Sequence, residues 1–76
     1  RAESSEELLK IANRIKTYFD IHGDTSVLPV LIELFIHISK FEDAEFYTEA
    51  LKEEDHGLAK LFKARIEKLK GNFIKA

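Results

Sequence analysis

The sequence predicts an all-α fold, a small compact bundle of four helices with a central, highly apolar second helix. Three observations carry that expectation. Apolar residues recur at helical spacing along most of the chain, beginning with Leu8, Ile11, Ala12, Ile15, Tyr18 and Phe19, which is the i, i+3, i+4, i+7 series of a one-sided helix. Three glycines and one proline in 76 residues are too few for a many-stranded β protein, which needs a turn about every 8–12 residues. Finally, residues 27–38 read Val-Leu-Pro-Val-Leu-Ile-Glu-Leu-Phe-Ile-His-Ile, the most apolar stretch of the chain, and its polar positions fall on a single helical stripe.

The first helix is expected over residues 5–22. Ser4 and Glu7 have capping-box spacing, in which a serine hydroxyl and a glutamate carboxylate satisfy each other's backbone N–H groups. The stripe from Leu8 to His22 is buried, while Lys10, Asn13, Arg14, Lys16 and Asp20 face water. Gly23 stands where a helix wants a left-handed C′ residue, and Asp24, Thr25 or Ser26 then caps the second helix. Each choice places Pro29 in the first turn, where its missing N–H costs little.

In the second helix Ser26, Pro29, Glu33, His37 and Lys40 form one narrow polar stripe. The remaining circumference is apolar, a wider arc than an ordinary surface helix carries, so neighbours must cover it on two or three sides. Residues 40–43 break the pattern, and Asp43 is the expected N-cap of a third helix over residues 44–54. Its apolar face is Ala44, Phe46, Tyr47, Ala50 and Leu51. After Asp55, His56 and Gly57, the residues Leu58, Leu61, Phe62, Ile66 and Leu69 define a fourth helix that Gly71 ends. Phe73 and Ile74 then fold back onto the bundle. The four helices have expected lengths of about 18, 15, 11 and 13 residues.

Charge divides sharply between the last two helices. Residues 41–55 hold seven acids against Lys52 alone, whereas residues 56–76 carry Lys60, Lys63, Arg65, Lys68, Lys70 and Lys75 against Glu67. An antiparallel hairpin sets these signs opposite each other along its rim. Exposed pairs contribute about 0–1 kcal/mol each, so they select register more than they stabilise.

The chain has no cysteine and no methionine, 34% charged residues and a net charge of −2. Disulfides and thiolate metal sites are excluded. The charge gives no overall attraction to phosphate or anionic lipid. Residues 27–32, the longest uncharged apolar run, fall far short of the roughly 20 residues of a membrane span, and they are not expected to follow a signal peptide. A single soluble domain over residues 1–76, excised from a longer protein, is expected, with no membrane partner.

Chemistry-bearing motifs are missing. His22, His37 and His56 lie in or beside three different helices without metal-ligand spacing, and no phosphate loop or nucleophile elbow is present. Glu33 and His37 form an i, i+4 pair read as a surface ion pair. Glu53, Glu54 and Asp55 crowd a turn that offers no cleft to perturb a carboxyl. Neither enzymatic activity nor any cofactor or metal is expected.

Two segments, Lys40-Phe41-Glu42-Asp43-Ala44 and Asn72-Phe73-Ile74-Lys75-Ala76, with Leu31 and Phe35 upstream of the first, form a pattern that resembles the aromatic-x-x-alanine turn between paired helices of tetratricopeptide-type repeats. The chain departs from that family at Ile32, where a small residue is expected, and at Lys63 and Glu67, where an apolar and an aromatic residue are expected. The copies lie about 32 residues apart where the family has 34, and no family is assigned. The helix-rich order is also similar in outline to small transcription-elongation-factor interaction domains, which bind short linear motifs.

The resulting expectation is a protein-protein interaction module, an adaptor domain. Helix 2 has more apolar arc than three short neighbours cover, leaving a groove lined by Val30, Leu34, Phe35, Phe41, Phe46 and Tyr47. Its occupant is an amphipathic segment of another protein or a second copy, giving a homodimer. The alternative is nucleic-acid binding through Lys60, Lys63, Arg65, Lys68 and Lys70 of helix 4.

Overall fold

The computed structural model describes residues 5–75, with side chains described over residues 6–71. It is all-α. Four helices, α1 (Ser5–His22), α2 (Leu28–His37), α3 (Phe41–Lys52) and α4 (His56–Lys75), follow one another with short connections, and a 3₁₀ turn, Thr25–Val27, leads into α2. Each helix packs against the next in the chain, α1 on α2, α2 on α3 and α3 on α4. The body measures 42 × 34 × 18 Å, so it is no more than about two helix layers deep.

α2 supplies the densest part of the core. Leu28, Leu31, Ile32, Phe35 and Ile36 are buried, and Leu31 and Ile32 are consecutive residues at 0% exposure. Neighbours along a helix point about 100° apart, so α2 is covered from two directions. α3 adds Ala44, Tyr47, Thr48 and Leu51, and α4 adds Ala59, Phe62 and Ile66. The Thr48 hydroxyl donates to the Ala44 carbonyl at 2.6 Å, which lets a polar side chain enter the core without an unpaired group. α1 contributes Ala12 fully and Ile15 and Phe19 partly.

The boundaries of α1 are those expected, although the Ser4 half of the capping box lies outside the described residues. Gly23 adopts φ +66 and its N–H donates to the Phe19 carbonyl at 2.7 Å, the left-handed C-terminal closure. None of the three cap candidates caps α2 itself, whose N-cap is Val27 without a side-chain bond; Asp24 caps the 3₁₀ turn before it. Its carboxylate accepts from the Ser26 amide at 3.1 Å and the Ser26 hydroxyl at 2.7 Å. It also accepts from the Tyr18 hydroxyl at 3.3 Å. The Ser26 hydroxyl, then its amide, hold the Asp24 carboxyl below the usual carboxylate range. Stability linked to this group is therefore present in full above about pH 4 and is lost as the pH falls through the lowered value. Asp24 caps the 3₁₀ turn, and α2 starts at Leu28 with Pro29 in its first turn.

Three boundaries differ from expectation. α2 stops at His37, since Ser39 takes φ 64 while its N–H donates to the Ile36 carbonyl at 3.0 Å and that of Lys40 to Phe35 at 2.8 Å. This is a Schellman closure built on serine. The chain turns earlier than the polar pattern suggested, and α3 begins at Phe41, so Asp43 sits in its first turn beside Glu42 and is not the cap. At the other end, Gly71 does not stop α4, which continues to Lys75. A glycine mid-helix is unfavourable by a fraction of a kcal/mol to about 1 kcal/mol, too little to end a helix by itself. The backbone of residues 72–75 is thus helical and not a returning tail, and the Phe73 and Ile74 side chains lie outside the description.

The α3–α4 hairpin has its expected rim. Lys70 meets Glu45 at 2.8 Å and Lys63 meets Glu49 at 3.9 Å, the descending order of an antiparallel pair. Asp55 caps α4 by accepting from the Leu58 amide at 3.2 Å, the N3 position.

The two glycines make opposite demands. Neither has an atom within 4 Å of an added Cβ, so backbone conformation alone decides the outcome. Urea unfolding should show Gly71→Ala more stable by roughly 0.5–1 kcal/mol and Gly23→Ala less stable by about 1 kcal/mol. A stabilising Gly23→Ala, or a destabilising Gly71→Ala, would contradict these helix ends.

Candidate interaction surface

The six residues expected to line one groove are divided by the fold. Phe35 is 2% and Tyr47 4% exposed, and their rings stack at 5.9 Å with an interplanar angle of 14°. Phe19 of α1 meets the edge of Tyr47 at 6.0 Å. Phe35 and Tyr47 therefore belong to the closed core and line no surface. Burial pushes the Tyr47 phenol above its ordinary value near 10. Phe41 is half-buried beside a depression bounded by Ser39, Lys40, Glu42, Asp43 and Lys70, separate from α1. Phe46 is 67% exposed.

Val30 and Leu34 do share a surface, but with α1. Leu8, Val30, Glu33, Leu34 and His37 enclose a shallow cleft of about 350 Å³. It exists because Val30 lies on the side of α2 turned away from its core residues, while Leu34 packs partly against the core at the flank, and Leu8 of α1 covers the two incompletely. Val30 is 52% exposed and Leu34 intermediate. A separate depression on α1 is lined by Glu7, Lys10, Ile11, Asn13 and Arg14. Leu8 is the α1 residue that lines the cleft, so its apolar floor joins α1 to α2 through that side chain.

Glu33 does not pair with His37 as expected. Its two carboxylate oxygens take the Arg65 guanidinium from α4 at 2.9 and 3.4 Å. This forked geometry is the one guanidinium favours, and the Glu33 hydrogen bond followed by its charge raises the Arg65 pKa. The floor of the cleft is thereby bordered by a neutralised pair. Both partners remain about half-exposed, so the bond fixes side-chain position more than it stabilises the fold.

The basic flank of α4 is already engaged. Arg65 is held by Glu33, Lys63 faces Glu49 and Lys70 faces Glu45, while Lys60 and Lys68 stand exposed. Phosphate binding by this set requires most of its cations to give up carboxylates first. Among the described residues, no three metal-capable side chains converge, and no helix is long and apolar enough to cross a membrane. A hollow of about 150 Å³ along the α3–α4 seam is bounded largely by Glu49, Lys52, His56, Lys60 and Lys63, and it offers no exposed apolar anchor.

Spacing in the sequence assigned several exposed residues to buried faces, among them Ile11, Tyr18 and His22 of the α1 stripe. Leu61 and Leu69 of α4, assigned to the core stripe, are 68% and 44% exposed. Ala59 occupies the close approach to α3 instead, and this small residue turns α4 so that the two leucines face outward. On α3 the same substitution of roles puts Thr48 in the core and Phe46 outside.

Fold and surface together define a small all-α domain with an open apolar cleft between its first two helices. Comparison with protein-family models, curated proteins and solved structures finds no match to this chain.

The division of the aromatic cluster makes a direct prediction. Phe35→Ala should destabilise by about 3–5 kcal/mol, whereas Phe46→Ala should stay within about 0.5 kcal/mol of the parent. Chemical denaturation that finds the two substitutions equally costly would place Phe46 in the core and refute this assignment.

Proposed function

We propose that the chain is a non-enzymatic protein-interaction module whose α1–α2 cleft receives the apolar face of an amphipathic helix from a partner. The observation that carries this reading is the Leu8, Val30 and Leu34 cleft, an apolar floor between α1 and α2. α2 is already committed to folding through its other face, so the cleft rests on a rigid helix. A rigid apolar floor with defined polar borders is the usual design of a helix-in-groove site. Its size suits one or two anchoring side chains, at the small end of ligand sites.

The borders restrict the occupant. Glu33, at the edge of the floor, is neutralised by Arg65, so the apolar face of a partner helix meets no unpaired carboxylate there. The nucleic-acid reading gains no comparable support, given the carboxylates that hold Lys63, Arg65 and Lys70.

The experiment is a titration of isotope-labelled protein with a synthetic amphipathic helix carrying phenylalanine on its apolar face. Amide shifts should concentrate at Leu8, Val30 and Leu34, and Val30→Glu should weaken binding by about tenfold or more, or about 1.4 kcal/mol. Shifts confined to α4, affinity indifferent to Val30→Glu, or no binding at all would overturn the reading.

A further inference from the structure

α1 carries apolar residues on two sides, and the core uses one of them. Ala12, Ile15 and Phe19 belong to the core, whereas Ile11, Tyr18 and Ile21 are 42%, 43% and 69% exposed. With Arg14 included, the exposed residues follow one another at intervals of three, four and three. That alternation keeps successive side chains on one stripe, the seam along which two helices pack knobs into holes. Ile11 and Arg14 border one depression with Glu7 and Lys10, away from the cleft, whose α1 residue is Leu8.

The order of residues on the stripe identifies what covers it. Its intervals read the same in both directions. A second α1 laid antiparallel about residue 16 sets Ile11 against Ile21 of the other copy, Arg14 against Tyr18, and the same pairs again in reverse. Two layers are aliphatic, and in the other two a guanidinium lies over a phenol ring, an attractive contact. Tyr18 is held ready for it, with its ring 4.5 Å from that of His22 and its hydroxyl donating to the Asp24 carboxylate at 3.3 Å. The arriving Arg14 therefore meets an opposite charge at the far end of the ring. Arg14 is exposed and, among the described residues, forms no ion pair. A parallel copy instead sets Arg14 against Arg14, and facing like charges are unfavourable.

We propose that the outer stripe of α1 joins two copies of this chain in an antiparallel dimer through the Ile11–Ile21 and Arg14–Tyr18 layers. The contact is isologous, each patch meeting its own counterpart, so association closes at two copies. Four side chains on one helix place it at the low end of interface sizes, below about 1,200 Å², and the dimer forms at high protein concentration. None of these residues lines the cleft, so the dimer and the docking of a partner helix at Val30 stand or fall separately.

Sedimentation velocity on the intact chain, from about 10 μM to about 1 mM, tests the association. The wild type should pass from monomer to dimer and go no further. Ile21→Glu and Arg14→Glu, both at exposed positions and verified as helical by circular dichroism, should each raise the dimer dissociation constant by about tenfold or more. Val30→Glu should leave it unchanged. Orientation is read by cross-linking with a short bis-maleimide, since the chain has no cysteine of its own. Thr17 flanks the stripe next to the two-fold axis, so Thr17→Cys should link to its counterpart. Lys10→Cys should not, because antiparallel packing separates its two copies by about 20 Å along the helices.

A wild type that stays monomeric at the highest concentration overturns the proposal. So does growth beyond the dimer, association that Ile21→Glu and Arg14→Glu leave intact, or loss of the dimer with Val30→Glu. Cross-linking at Lys10→Cys in preference to Thr17→Cys rules out the antiparallel register.

Discussion

Leu31 and Ile32 are adjacent in sequence and both wholly closed to solvent, and the arrangement of the other helices follows from that pair. Because neighbouring positions diverge by about 100° around a helix, no single partner can cover both. α3 takes the larger share through Ala44, Tyr47 and Leu51, and α1 closes the adjacent side through Ala12, Ile15 and Phe19. α4 then packs chiefly against α3, through Ala59, Phe62 and Ile66, and reaches α2 through the Arg65–Glu33 bridge.

This order leaves a shallow body instead of a closed four-helix cylinder. In a square bundle every helix has two long neighbours and an inward face, whereas here α1 and α4 stand at the ends of a series and each has one principal neighbour. Apolar side chains beyond the reach of that neighbour remain in water, among them Ile11 on α1 and Leu61 and Leu69 on α4. The same geometry opens the cleft, since α1 covers one flank of α2 and leaves Val30 beyond its edge. Single exposed apolar residues are ordinary on protein surfaces. The cleft differs in bringing Leu8, Val30 and Leu34 together on a concave floor.

Much of the architecture was legible in the residues. The span of α1, the glycine that ends it, the proline in the first turn of α2 and the opposed charges of α3 and α4 all appear where the chain puts them. The failures have local causes. Ser39 closes α2 in a left-handed conformation that glycine usually signals, so the turn carried no marker and α3 was placed too late. Gly71 carries the marker without the conformation. On α3 and α4, Thr48 and Ala59 displaced larger residues from the core because close packing rewards small side chains and an internally bonded hydroxyl, preferences that a hydrophobic pattern does not record. The groove was anticipated as one aromatic site, but the stacking of Phe35 on Tyr47 consumed its centre, and what remains open is aliphatic and belongs to α1 and α2.

The central claim is that α2, covered from two sides, is the part of the fold on which the rest depends. Native-state amide hydrogen exchange measures this residue by residue, because deeply packed segments exchange only through global unfolding while peripheral helices open separately. Amides of residues 31–36 should exchange slowest, with an opening free energy equal to that of global unfolding, and those of residues 8–14 in α1 should open at lower cost. If α2 exchanged faster than α1 or α4, or if all four helices opened at one common free energy, the account would be wrong.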